Sequence, residues 1–211
     1  FDFNLGFLIQ KEYNPSISFL PIDFIYLVLL GIIIGLLAEL YSNYVLMMQN
    51  LGKKWYQNKF VLKMSICGLI LGSIYAFLPS SFHNLDELQK IIAEQNTNIN
   101  IALLAVLVLF ITTGLAAATG APGGLFYPML TLGGAIGLIM GSWVEIITGH
   151  APSTYIFAGM GAFVAGCSRT PITAMFLAFA LTKDLLIMKP VLICCITSFL
   201  IARAFNEQSI Y

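Results

Sequence analysis

The chain has 211 residues, of which 59% are hydrophobic and 9% charged, and its basic and acidic residues cancel to a net charge of zero. Soluble domains carry about 25% charged residues, so the composition excludes an ordinary soluble domain, and the zero balance argues against a nucleic-acid partner. A mean hydropathy of +0.89 predicts an integral membrane protein.

Residues 1–22 are mixed and polar, with Pro15 and Pro21, and read as a leading loop or the tail of a preceding element. Phe1 opens the chain without an initiator Met or a basic stretch, which predicts a piece of something longer rather than a signal peptide. Residues 23–211 then read as one all-α helical bundle. Its apolar segments run over 24–51, 64–79, 101–118, 125–144, 155–167, 171–182 and 190–202. Residues 80–100 carry Asp86, Glu87, Lys90 and Glu94 and read as a polar loop with room for a short amphipathic helix. A perpendicular span needs about 20 apolar residues. The last three segments fall short, so they are either broken, tilted helices buried by neighbours or re-entrant segments.

Glycines recur four apart at Gly31 and Gly35, at Gly68 and Gly72, and along Gly133, Gly137 and Gly141. Such spacing lets helix backbones approach closely in lipid and predicts a tight bundle. Four lysines, Lys53, Lys54, Lys59 and Lys63, cluster in one short connection. The excess of Lys and Arg in cytoplasmic loops places that connection in the cytoplasm. The first helix then runs inward, the second outward, and the 80–100 loop faces outside.

The chemistry concentrates at Gly120-Ala121-Pro122-Gly123-Gly124-Leu125-Phe126-Tyr127-Pro128, a glycine-rich break between two apolar runs. Pro128 suits the first turn of a new helix, where N–H groups lack intrahelical partners. Those N–H groups, at the positive end of the helix dipole, form an anion site without a charged side chain. From the residues alone, the break is either such a site or an ordinary loop. Three ionisable residues fall at membrane depth: Glu39, Glu145 and Arg169. Glu39 is expected at a water-filled edge or paired with a lysine. Glu145, beside Trp143, is expected at an interface. Arg169 is expected to cap helix carbonyls or snorkel, or else to touch an ion. His83 and His150 read as solvated loop residues. Cys67, Cys167, Cys194 and Cys195 lack metal-ligand spacing and read as small buried hydrophobes. No HExxH, GxSxG, CxxC or phosphate-loop pattern supports an enzyme, and no metal or cofactor is expected.

The stretch ending Gly124-Leu125-Phe126-Tyr127-Pro128 resembles the GxFxP signature in the second half of the CLC family of chloride channels and chloride/proton antiporters. Phe157-Ala158-Gly159-Met160-Gly161-Ala162 and Ser168-Arg169-Thr170-Pro171-Ile172-Thr173 resemble that family's AGMGA and RAPLT stretches. The resemblance covers residues 24–211. It implies the second half of an inverted repeat of helical halves, and therefore an N-terminal half elsewhere in the protein. The GSGIP and GREGP loops of that half are absent here, as is the acid associated with proton transfer.

The resemblance further implies an anion bound by the backbone N–H groups of Leu125 and Phe126, with Gly123, Gly124 and Pro128 shaping the loop and the Tyr211 hydroxyl donating to the same ion. That tyrosine favours chloride over fluoride. Neutral donors suit a conducted ion, since binding must be weak enough for release. The family's homodimer interface would fall near 171–205. A bacterial inner membrane is the implied location, lipid and chloride the implied partners, and protons the ions that antiport would couple. Ala180 stands where many relatives have a glutamate, and Tyr127 fills a place where smaller residues are common. Antiport, a passive channel and a non-transporting structural subunit are the readings left open.

Overall fold

The computed structural model describes residues 21–55, 60–93, 99–120, 124–148, 154–182 and 187–205. These form α1 (Pro21–Trp55), α2 (Phe60–Ala76), a 3-10 turn (Ser80–Phe82), α3 (Leu85–Ala93), α4 (Ile99–Thr119), α5 (Phe126–Thr148), α6 (Thr154–Ser168), α7 (Pro171–Thr182) and α8 (Met188–Phe205). Prolines sit in the first turn of α1, α5, α7 and α8, where a missing N–H costs no hydrogen bond. The second apolar segment stops at Ala76 rather than reaching Pro79. Four helices, α1, α4, α5 and α8, are long and apolar enough to cross a membrane.

α6 is the centre of the bundle. Every residue from Thr154 to Cys167 is buried, between α5, α8, α1 and α7. A helix of 15 residues is about 22 Å long, too short to cross alone. It is instead sheathed by longer neighbours, so α6 is a buried helix of the broken kind.

Two of the three glycine series pack as expected. Gly31 and Gly35 meet Cys194, Thr197, Ser198 and Ile201 of α8, and added Cβ atoms there would collide. Gly133 meets the backbone of Gly159, and Gly137 that of Tyr155. Since 133 pairs with 159 and 137 with 155, α5 and α6 run antiparallel. Gly68 and Gly72 are the exception. A Cβ on either would meet nothing within 4 Å, so the prediction of tight packing fails there. Most of α2 turns outward, with Val61 and Leu69, and Phe77 just beyond its end, among the most exposed apolar side chains.

Residues 85–93 form the short amphipathic helix for which the 80–100 loop left room, with one face buried. Leu88 and Ile92 are fully buried, and the Gln89 amide donates to Thr131 Oγ1 on α5 at 2.9 Å. The charge-free run of α8 also finds its use inside the chain. Pro190, Val191, Cys194, Cys195, Ser198 and Ala202 are buried, and Ser198 Oγ donates to the Ala162 carbonyl at 2.8 Å. What remains outside is an apolar strip that includes Ile196 and Leu200, with Ile172 and Phe176 of α7. Cys167, Cys194 and Cys195 are buried and Cys67 half-buried, all as free thiols.

Candidate anion site at a broken helix

α4 ends at a glycine because the chain must turn left-handed there. Gly120 has φ 73°, and its N–H donates to the Ala117 carbonyl at 3.2 Å. A residue with a Cβ pays a penalty in that region. Among the described glycines the left-handed position is Gly120.

α5 begins after this break. The Leu125 carbonyl accepts the first helical bond, from Met129 N at 3.1 Å, so Leu125 occupies the capping position. An apolar cap offers no oxygen to the helix start. Among the described residues, the N–H groups of Leu125 and Phe126 meet no acceptor. Pro128, buried in the first turn, removes one donor that would otherwise need satisfying. Leu125 and Phe126 are half-buried, and the Phe126 ring meets Tyr127 edge-on at 6.3 Å between centroids.

The helix start lies on a cavity of about 390 Å³ between the ends of α1 and α4 and the beginning of α5. Gly120, Gly124, Leu125 and Pro128 form one wall, while Gln49, Lys53 and Thr113 line the others. The volume falls within the usual range for a ligand site. A Cβ built on Gly124 meets nothing within 4 Å, so this glycine leaves room for an occupant and not for a neighbouring helix. Gly123 and Tyr211 lie outside the described residues. Lys53 was read for topology alone, and Gln49 and Thr113 carried no sequence signal, since only the parallel course of α1 and α4 brings them here. That course is fixed by the Tyr44 ring stacked on Phe110 at 5.1 Å and by Tyr41 edge-on to the same ring at 5.5 Å.

Of the ionisable residues at depth, Glu39 departs from expectation. Glu39 is neither at a water-filled edge nor paired with lysine. It is 6% exposed and accepts from Arg169 Nη2 at 2.6 Å. Arg169 thus carries its guanidinium to the carboxylate of α1, with its side chain 11% exposed. Its backbone closes α6 at φ 61°, with its N–H donating to the Ala165 carbonyl at 3.0 Å. Glu145 is exposed near the end of α5, beside exposed Trp143. His83 is exposed and its Nδ1 lies 3.2 Å from the Ser80 carbonyl; His150 lies outside the described residues.

The fold and the site together define a membrane helical bundle in which the half-buried start of α5 faces a cavity. Residues 2–203 match the family model described as voltage gated chloride channel, and the chain belongs to that family. An H(+)/Cl(-) exchange transporter ClcA from Vibrio parahaemolyticus is 28% identical over 189 residues, covering 87% of this chain and 40% of that protein. The transporter of the same name from Salmonella typhimurium is 28% identical over 203 residues, covering 93% and 43%. The chain thus spans less than half the length of these relatives. The fold is shared with a slow cyanobacterial Cl-/H+ antiporter, at a TM-score of 0.82 and 23% identity, covering 93% of this chain and 47% of that one. It is shared also with a eukaryotic CLC transporter at 0.73 and 21%, covering 92% and 35%.

Proposed function

We propose that the protein containing this chain is a transporter, not an enzyme, and moves chloride across a bacterial inner membrane in exchange for protons, using the start of α5 as its anion site. The observation that carries this reading is the helix start itself: two adjacent N–H groups, an apolar cap, and a glycine facing a 390 Å³ cavity. Membership of the family supports chloride as the ion, and similarity to bacterial H(+)/Cl(-) exchange transporters supports exchange over a passive channel. Leu125 and Phe126 donate from the backbone. Gly123, Gly124 and Pro128 shape the approach, and the Tyr211 hydroxyl is the added donor. Neutral dipoles bind a dehydrated anion without trapping it. No resident cofactor is proposed.

By the lysine distribution, the cavity opens toward the cytoplasm, since Lys53 lines it. The N-terminal half of the same polypeptide completes the pore. A second copy covers the apolar strip of Ile172, Phe176, Ile196 and Leu200. The decisive experiment is chloride efflux from liposomes holding the full-length protein, with proton uptake recorded alongside. Chloride efflux with stoichiometric proton movement is expected; efflux without protons would establish a passive channel, and no chloride movement would sink the reading. A cysteine replacing Lys54 should resist an impermeant thiol reagent applied outside intact cells, and ready labelling would reverse the orientation.

A further inference from the structure

Glu39 and Arg169 bury opposite charges between apolar helices. Their side chains are 8% and 11% exposed, and Arg169 Nη2 meets Glu39 Oε2 at 2.6 Å. The other carboxylate oxygen accepts from Asn43 Nδ2, one turn along α1, at 2.9 Å. Glu39 lies near the middle of α1, far from either end. Burying an ion pair in low dielectric is a poor way to gain stability, because desolvation consumes the attraction, and apolar residues of equal volume often serve as well. Its better-attested use is to hold one register. Apolar surfaces slide past one another at small cost, whereas sliding this pair apart leaves two buried charges unmatched.

The register matters because of what the two residues are attached to. Arg169 closes α6 in the left-handed region, φ 61°, a costly place for a residue with a Cβ. One turn earlier, Gly166 faces Ala38 of α1, and Cys167 Sγ lies 3.6 Å from the Ala38 carbonyl. α6 is keyed to α5 through Gly133, Gly137 and Gly159, and the antiparallel course sets the end of α6 beside the beginning of α5. α1 continues from Glu39 to Gln49 and Lys53, which form the cavity wall facing Gly124 and Leu125.

Resting on the anion site proposed above, we propose that Glu39 and Arg169 are positioning residues for it: the pair sets how the first N–H groups of α5 stand against the wall made by α1. It therefore sets chloride affinity and the discrimination between chloride and a larger anion such as thiocyanate. Neither residue touches the ion.

The test uses the full-length protein with three changes: Glu39→Asp, which keeps the charge but shortens the reach, Glu39→Gln, and the double Glu39→Leu/Arg169→Met. Each is assayed for melting temperature, chloride affinity and chloride-to-thiocyanate flux ratio. The double variant is expected to melt like the parent yet bind chloride about tenfold more weakly, with reduced discrimination, because misplacement of this size is costly to a preorganised site. A purely structural pair would do the reverse, moving the melting temperature and leaving affinity and flux ratio alone. Should the double variant fail to fold, Glu39→Asp decides by the same readouts. Spin labels on cysteines replacing Met47 and Tyr127 give a readout that needs no transport. Their separation should shift by roughly 1–2 Å in the variants, the scale of helix shifts. Parental affinity, flux ratio and label separation would overturn the inference. A parent that moves no chloride would instead overturn the proposed function, and the label distance would still decide this one.

Discussion

The two helix breaks use one backbone device and put it to opposite ends. Between α4 and α5 the left-handed residue is Gly120; between α6 and α7 it is Arg169. The glycine brings no side chain, and the chain beyond it opens on a cavity with Leu125 as an apolar cap. The arginine brings a charge that Glu39 neutralises within the fold. Thr170 then starts α7, its carbonyl accepting from Ala174 N at 3.1 Å, and its hydroxyl lies 2.7 Å from Ser168 Oγ. One break sets a helix start against a cavity. The other spends its polar groups on the protein. A charged residue at membrane depth is a default candidate for ion contact; here the charge at one break is met by Glu39, and the break without charge is the candidate site.

The comparison can be broken at either end. The largest effect is expected from Gly124→Val. The new side chain enters open space, so melting should stay close to the parent while chloride flux is lost. Flux at the parental rate would make the first break an ordinary loop. Glu39→Leu alone leaves a buried guanidinium without its carboxylate, which should cost about 3–5 kcal/mol of stability. Denaturation of the purified protein checks this, and a cost below about 1 kcal/mol would mean the second break tolerates a bare charge.

Tyr211→Phe removes one hydroxyl from the proposed site. A hydrogen bond to a charged partner contributes about 1.5–3 kcal/mol, so calorimetry should find chloride binding weaker by roughly one to two decades. Unchanged binding would leave the backbone of α5 as the site's main donor. The smallest effect sharpens the backbone parallel. Gly120→Ala should destabilise by about 1 kcal/mol, the penalty of a Cβ at positive φ. Arg169→Gly should be milder than Arg169→Ala by a similar amount, because both lose the ion pair and only one relieves the backbone.

Local pattern carried much of this protein. Long apolar runs between prolines and charges are a property of each segment alone, so the helices and their ends were legible within a few residues. The break at 120–128 was legible because glycine and proline act on their own backbone, whatever surrounds them. The motifs Gly124–Pro128 and Ser168–Thr173 carried the family. What no local pattern contains is which surfaces meet. Gly68 and Gly72 have the same spacing as Gly31 and Gly35, yet one pair faces open space and the other the backbone and side chains of α8. Glu39 and Arg169 each stood out as charges at depth, but their partnership spans 130 residues, and only the parallel packing of α1 against α6 creates it. The same packing let 15 residues of α6 form the core rather than a failed span. It also gathered Gln49, Lys53 and Thr113 around the start of α5. Sequence determined the helices, their breaks and the membrane they suit, because those follow from each residue's own chemistry. Tertiary structure decided which charge was neutralised and which helix start faces a cavity, because close packing selects one set of neighbours among many of equal hydrophobicity.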